Sequence, residues 1–505
     1  MKSILCLSFT FAATLHAQTV VVKPYVQPGD GATLAGSDVK VLTWVTDAKP
    51  GNFIVEYSVK GQPAKTAPVS ATPLNFGKST AKPAPAKPED AKPEPALTLD
   101  EVKQNVAETF PALTEREQHY IRYRAVLPAL PFDSTVTWRV RQGATILRSE
   151  SVKTRASADK PITFVAVGDM ASNKPEQFGI SYQISLAKPD FVVALGDIVY
   201  PGGRVLQYMN HFFPCYNDVT TPGAKTGAPL MATVPVYPVV GNHDADMQRM
   251  PGYPDAYSCF YWFSVPKNGP GLGLWSTPLG KDEKVAAAFK TAAGAEYPAM
   301  SNYSFDYGPA HFLVLDANSY AMKENDKIFP WIEKDLTSSK QKWKFVCFHQ
   351  PSFHTSREHY AEQKMRILQP VFERSGVDVV FAGHVHNYQR SMPLKFVPDA
   401  AGRDKRGRVN GMLTLDKTFN GETDTTPEGT IHIVSGGGGA KLYSVDLEKT
   451  IAYLEKEHPG NYEPLTAKYV AEHSFTVVDL KPTELVLRQV SIAGKEVDRI
   501  RINKP

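Results

Sequence analysis

An all-β sandwich followed by a larger α/β domain is the architecture this sequence predicts, and three observations predict it. Between residues 19 and about 157, apolar and polar residues alternate in short runs. Beyond Pro161 the runs become continuously apolar and are separated by helically spaced segments. Five of those later runs end in side chains able to ligate metals or carry protons. Length agrees: 505 residues, at about 150 per domain, allow two to four domains with real cores. With 42% hydrophobic and 21% charged residues the composition is that of a soluble globular chain. The balance of 56 Lys+Arg against 52 Asp+Glu leaves +4, without the concentrated basic footprint of a nucleic-acid binder, so no nucleic acid is expected as a stable partner. Forty prolines, about 8% against a usual level near 5%, predict many turns and linkers.

Taken in order, Met1-Lys2-Ser3, the apolar run 4–15 and His16-Ala17-Gln18 form the pattern of a secretory signal peptide (1–17) cleaved after Ala17. That run is too short to span a bilayer, and no other window offers about 18 uninterrupted apolar residues. The expectation is an exported protein, secreted or periplasmic, with no membrane span. Of the cysteines beyond the signal, Cys347 lies in an apolar run and reads as a buried small hydrophobe. Cys215 and Cys259 would close a loop of about 45 residues, contributing roughly 3–5 kcal/mol if joined; bridged and free states both stay open.

Residues 18–157 contain the alternating runs 39–44, 53–57 and 136–140, strands of half-buried antiparallel sheets. The Lys/Pro/Ala/Glu stretch 79–96 has nothing apolar larger than Ala or Pro and is expected as an extended insert. In residues 158–505, the runs 162–167 and 191–195 with the helical segment 176–187 make a βαβ unit. Further strands are expected at 236–240, 311–315, 345–348, 377–381, 431–434, 474–480, 485–490 and 497–502, and helices around 327–336 and 362–374. The stretches 245–300 and 400–429 read as long loops. No internal repeat is seen.

The chemistry sits at the strand ends. Val167 is followed by Gly168-Asp169, Leu195 by Gly196-Asp197, Val240 by Gly241-Asn242-His243, Phe348 by His349, and Ala382 by Gly383-His384-Val385-His386. In α/β sheets the carboxyl ends of the strands are where ligands bind, so these five ends should converge. Carboxylate, imidazole and amide oxygen together suit first-row metals, and an oxygen-only set would suit calcium or magnesium. There are too many donors for one ion, which points to a two-metal hydrolase. Five of thirteen histidines, His349, His354, His359, His384 and His386, crowd into one short stretch. Any single Gly-Asp is an ordinary turn and any single histidine an ordinary structural residue; the ordered set carries the argument.

These motifs resemble those of the calcineurin-like metallophosphoesterase superfamily, and within it the purple acid phosphatases. The matching segments are Gly168-Asp169-Met170-Ala171, Gly196-Asp197-Ile198-Val199-Tyr200, Gly241-Asn242-His243-Asp244, Val346-Cys347-Phe348-His349 and Gly383-His384-Val385-His386. Tyr200 separates this branch from generic members, and Ala171 stands where the pattern has Gly. The resemblance covers Pro161 to about Ile502, and the preceding sandwich resembles a fibronectin-type-III-like domain. It implies a catalytic domain of packed sheets flanked by helices and a binuclear centre. Fe(III) would be held by Asp169, Asp197, Tyr200 and His386, and Fe(II), Zn(II) or Mn(II) by Asp197, Asn242, His349 and His384, with Asp197 bridging. It implies an acid phosphatase-like enzyme that hydrolyses small phosphomonoesters by in-line attack of a metal-bound hydroxide. The alternative keeps the metals and makes the substrate a phosphodiester or nucleotide. A third reading, a non-catalytic adhesion protein whose sandwich does the binding, is opposed by the full ligand set.

By the same resemblance His243 and His359 are the catalytic candidates and, with Asn242, contact substrate. Glu358 replaces the first histidine of a His-His pair and is expected to orient His359 or to select substrates. Asp244 is expected to hold His243, and His354 to be solvent-exposed. Arg390, beside Tyr388, reads equally as a phosphate clamp or a structural ion pair. The run 436–439 of four glycines is expected to allow close backbone approach at the rim.

Overall fold

The alternation seen early in the chain folds into two antiparallel sheets. The computed structural model describes residues 18–78, 117–244, 255, 257–270, 287, 300–318, 328–403, 408–458 and 462–504. The expected signal 1–17, the insert 79–96 and most of the loop 245–300 lie outside them. The first sheet has the order β1(Val20–Gln27), β2(Asp38–Asp47), β6(Gln118–Leu130), β5(Val69–Phe76); the second is β4(Lys65–Ala67), β3(Ile54–Val59), β7(Thr135–Gln142), β8(Thr145–Lys153). In β7 the period is plain: Val136, Trp138 and Val140 are buried, and Thr135, Thr137 and Arg139 face water. Trp44, Tyr57, Tyr123 and Trp138 fill the core between the sheets, with Trp44 stacked on Tyr123 at 5.5 Å. Val22, Tyr25, Val45, Leu74 and Phe76 point the other way and join the core of the following domain. Polar contacts fasten that seam: Tyr25 Oη donates to the Trp262 carbonyl at 2.6 Å, and Arg122 Nη1 to the Tyr261 carbonyl at 2.8 Å.

The α/β part is two mixed sheets packed face to face. One has the order β11(Val236–Pro238), β10(Phe191–Ala194), β9(Ile162–Val167), β21(Ser474–Leu480), β22(Glu484–Ser491), β23(Glu496–Asn503). The other is β12(Tyr303–Tyr307), β13(Ala310–Val314), β14(Trp343–Cys347), β15(Val379–Ala382), β19(Ile431–Ser435), β16(Tyr388–Ser391), β20(Thr466–Val470); β17(Leu394–Arg403) and β18(Val409–Leu415) form a separate ribbon. Within the first, β9, β10 and β11 run parallel; within the second, β13, β14, β15 and β19 do. Phenylalanines weld the sheets: Phe164 of β9 meets Phe312, Phe345 and Phe381 of the other sheet at 5.1, 5.5 and 5.8 Å. Such aromatic pairs contribute about 0.5–1.5 kcal/mol each beyond burial. Helix α1(Glu176–Ala187) crosses between β9 and β10 and buries Ile180 and Ile184. Helix α2(Ile328–Ser338) buries Ile328, Ile332 and Leu336, one per turn.

Three local expectations change. Residues 409–415, expected within a long loop, form β18, which pairs antiparallel with β17. The single helix expected over 362–374 is a 3-10 turn at Lys364–Leu368 followed by a short α3(Gln369–Arg374). Pro370 has no N–H to donate and suits only a first turn, so a helix restarts there. Cys215, Cys259 and Cys347 are all buried free thiols, so the possible Cys215–Cys259 bridge is not formed. Cys215 Sγ instead donates to the Gln177 carbonyl at 3.3 Å.

Candidate metal centre

The parallel strands of both sheets end at one place. Three of the ligand-type residues leave their strands in the left-handed region, Asp169 at φ 60°, Asp197 at 49° and His384 at 67°. Side chains tolerate this region poorly, and such outliers gather at functional sites where surrounding contacts hold them. The preceding glycines make room. A Cβ on Gly241 would lie 2.1 Å from Asp197 N, one on Gly196 2.5 Å from His349 Nδ1, and one on Gly383 2.8 Å from Asp169 Oδ2. The glycine run 436–439 does the same from β19: a Cβ at Gly436 would fall 2.7 Å from Asp169 Oδ2, and one at Gly438 2.2 Å from the Gly168 carbonyl. Close backbone approach at the rim is therefore its role.

All seven ligand-type side chains meet. Tyr200 Oη lies 2.9 Å from Asp169 Oδ1, 3.2 Å from Asp197 Oδ2 and 3.0 Å from His386 Nε2. His349 Nε2 is 3.2 Å from Asp197 Oδ1 and 3.1 Å from Asn242 Oδ1, and the His349 and His384 rings are 4.9 Å apart. Backbone carbonyls set the rings: His349 Nδ1 donates to Leu195 O at 2.8 Å and His386 Nδ1 to Lys441 O at 2.6 Å, which turns each Nε2 inward. That outer bond is the usual way a protein fixes the tautomer of a metal-binding histidine.

The donors fit metal ions. His384 Nε2 is buried and has no hydrogen-bond partner. Burial and the neighbouring His359 and His349 push His384 down to about 4, which favours the neutral ring that a metal ion requires. Burial, then Asp169 and Asp197, push the Tyr200 phenol well above its ordinary value, so it loses its proton only to a cation. Burial opposes ionisation of Asp197 too, yet the imidazoles of His349 and His243 hold it well below the usual carboxylate range. Two overlapping groups present donors at metal-binding spacing, Asp197/His349/His384 and His359/Glu362/His384.

The surrounding residues sort differently from expectation. Asp244 does not hold the His243 ring: its carboxylate accepts from the N–H groups of Ile198 and Gly241, both at 2.9 Å, strapping two ligand loops together. His243 Nδ1 donates to the Pro201 carbonyl at 2.8 Å, and its backbone N–H to Asp197 Oδ1 at 2.7 Å. His354 is buried, not exposed, and burial together with His359 pushes it down to about 3. Glu358 turns away from His359 and bonds Ser356 and Ser444. The partner of His359 is Glu362, whose Oε1 accepts from Nδ1 at 2.8 Å while Oε2 lies 3.4 Å from His384 Nε2. Glu362 was missed because it sits in an apparent helix; the signal was its spacing of three from His359. Arg390 is structural, paired with Asp498 at 2.7 Å, and Tyr388 Oη donates to the same carboxylate. Ala171 pairs with Val199 in an isolated bridge, so the missing glycine leaves that loop anchored.

Beside Tyr200 and His386 opens a cleft of about 640 Å³, bordered by His243, His211, Lys441, Tyr443 and His473. Tyr443 stacks on His386 at 3.9 Å, and His359 lies beyond it, 5.9 Å from the same ring.

Residues 162–388, which hold all these ligand-type residues, match the model of the calcineurin-like phosphoesterase family. The chain has the mixed α/β metallophosphoesterase-like fold and is similar to that superfamily, whose members generally use a dinuclear metal centre. Within it the chain is purple acid phosphatase-like. It is 25% identical over 306 residues to "Probable inactive purple acid phosphatase 27" of Arabidopsis thaliana, taking in 58% of this chain and 41% of that one. It is 27% identical over 289 residues to "Nucleotide pyrophosphatase/phosphodiesterase" of Hordeum vulgare, 55% of this chain and 65% of that one. The structure of purple acid phosphatase PPD1 from yellow lupin (Lupinus luteus) seeds shares the fold, with a TM-score of 0.61 at 18% identity over 96% of this chain and 74% of that one. The chain spans about half the length of the curated relatives it matches. Among the described residues no helix is long and apolar enough to cross a membrane.

Proposed function

We propose that this chain is an exported, binuclear metal-dependent phosphatase acting on small phosphomonoesters, its catalytic domain preceded by a fibronectin-type-III-like module at 18–157. The observation that carries the reading is the contact set of Tyr200, a phenol held between two carboxylates and an imidazole. Two relatives have the word inactive in their names, so the fold alone does not imply activity; the donor set is what supports it. Asp169, Asp197, Tyr200 and His386 would hold Fe(III), a hard ion suited to phenolate. Asp197, Asn242, His349 and His384 would hold Fe(II), Zn(II) or Mn(II). When bound, the two ions supply charge for the phosphoryl oxygens and activate water as the nucleophile.

The protein's own groups do the rest. The Asn242 amide, with its oxygen toward His349, turns its NH₂ to a phosphoryl oxygen. His243 keeps a proton on Nδ1 against Pro201 and offers Nε2 to the cleft, where the protonated ring protonates the leaving oxygen. His359, fixed by Glu362, contacts the phosphoryl group from the other rim. Metal analysis with a visible spectrum tests the centre: two ions per chain and an absorption band are expected, and fewer than one ion per chain in fresh protein overturns it. The roomy cleft and one relative's name favour a second reading, a phosphodiesterase or nucleotide hydrolase. Turnover of an aryl monoester against the matching diester separates the two.

A further inference from the structure

His384, His359, Tyr443 and His386 stand as a row of rings along one rim of the site. His359 lies 3.9 Å from His384 and Tyr443 lies 3.9 Å from His386, but His359 and Tyr443 are 5.9 Å apart. That wide step falls where two chain segments meet. His359 belongs to the segment that follows β14 and Tyr443 to the segment that follows β19, and the Tyr443 N–H donates to the His386 carbonyl at 3.0 Å. Glu358 sits beside the step. Its Oε2 accepts from Ser356 Oγ of the first segment at 2.8 Å and from Ser444 Oγ of the second. The Arg357 N–H donates to the same Ser444 Oγ at 3.0 Å. Ser444 is held in the left-handed region at φ 44°, and its carbonyl accepts from Tyr469 Oη. That phenol accepts in turn from Asn387 Nδ2 at 2.9 Å, one residue beyond His386. A bonded path thus runs from beside a ligand-type histidine, through Ser444 and Glu358, to the turn that carries His359. Residue type matters at this position: one carboxylate oxygen takes both hydroxyl protons, whereas a neutral imidazole has a single acceptor nitrogen.

We propose that Glu358 is a positioning residue: by joining Ser356 to Ser444 it sets the spacing between His359 and Tyr443, and so the place from which His359 meets a phosphoryl group. The inference rests on the phosphatase reading, in which His359 makes that contact. Glu358 acts without touching substrate, through charge-assisted hydrogen bonds that are about twice as strong as neutral ones. The bond from His359 to Glu362 cannot replace it, because both partners belong to one segment and move together.

The test uses the metal-loaded full chain in two arms. In hydrogen exchange read by mass spectrometry, Glu358→Ala should speed exchange about tenfold in both 355–361 and 440–446, and Ser444→Ala should loosen the same two stretches. Glu358→Gln, whose amide oxygen can still take both hydroxyl protons, should keep most of the protection, and Glu358→His should lose it as the alanine does. In turnover of an aryl phosphate, kcat/KM should fall about tenfold in Glu358→Ala and recover most of that in Glu358→Gln. In a His359→Ala background, Glu358→Ala should add no more than about a twofold loss, since residues that act through one another are not additive. Unchanged exchange in either stretch of Glu358→Ala overturns the assignment. So does a full further loss in the His359→Ala background, or a Glu358→Gln protein as slow as Glu358→Ala. If wild type turns over no phosphate ester, it is the phosphatase reading that fails, and the exchange arm still decides whether Glu358 ties the two segments.

Discussion

Gly241 offers the sharpest test of how the centre is built. It precedes Asn242, and a Cβ there would sit 2.1 Å from Asp197 N and 2.2 Å from Asp197 Oδ1. Real Cβ atoms essentially never come closer than 3.0 Å to another heavy atom, so the Asp197 turn must retreat by about 0.9 Å. No flexible side chain can absorb that, because the obstacle is backbone and Asp197 Oδ1 is tied to the His243 N–H at 2.7 Å. Misplacing reacting groups by about 1 Å costs on the order of 100-fold in rate, and overpacking costs about 1–3 kcal/mol of stability. Gly241→Ala should therefore lose about 100-fold in kcat/KM for an aryl phosphate and bind metal substoichiometrically, with unfolding in urea easier by about 1–3 kcal/mol. Gly77→Ala, whose Cβ meets nothing within 4 Å, is the control and should change none of these. A Gly241→Ala protein with two ions per chain and the wild-type rate would refute the reasoning.

Tyr200→Phe removes the phenolate donor, so any visible charge-transfer band should vanish while the far-ultraviolet circular dichroism stays; a Tyr200→Phe protein that remains coloured takes Tyr200 out of the ligand set. Glu362→Gln loosens His359, and since hydrogen bonds to charged groups contribute about 1.5–3 kcal/mol, kcat/KM should drop at least about tenfold, with part recovered in Glu362→Asp. An unaltered rate in Glu362→Gln excludes that role. His311 gives a pH prediction: burial works against its charge, but Asp306 and Asp335, each 2.8 Å away, raise it to about 9. Because the folded value is raised, its stabilisation is complete below about pH 6.5 and is lost as pH climbs through about 9, a spread of about 3 kcal/mol. His311→Gln should flatten the urea stability profile over that window, and parallel profiles for the two proteins would contradict it.

Sequence reasoning reached furthest where the signal is local. The segment 176–187 was readable as a helix and forms one to the residue, because i, i+4 spacing shows directly in the order of side chains. Gly-Asp, Gly-Asn-His and Gly-His-Val-His were readable as strand exits because each couples an apolar run to a residue permitting close approach. It reached less far where neighbours come from elsewhere in the chain. The same letters allow His354 to face water or to be buried, and only packing near Tyr360 and Arg366 decides. Glu358 adjoins His359 in sequence, yet the left-handed backbone of His359, φ 63°, turns its ring toward Glu362. Cys215 and Cys259 can be counted from sequence, but a bridge requires their sulfurs about 2.05 Å apart, which no count reveals.

By itself the sequence determined that strands end in carboxylate, amide and imidazole donors, that glycine precedes four of the five, and that Tyr200 adds a phenol to the set. These follow from local chemistry, since periodicity marks the strands and residue type limits what each end can ligate. Only the tertiary structure decided that three of the ends belong to one sheet and two to another, and that the sheets face each other across Phe164, Phe312, Phe345 and Phe381. The physical reason is that strand pairing and face-to-face packing are set by contacts between residues far apart in the chain. His349 meets Asp197 across 152 positions at 3.2 Å, and no local pattern encodes that meeting.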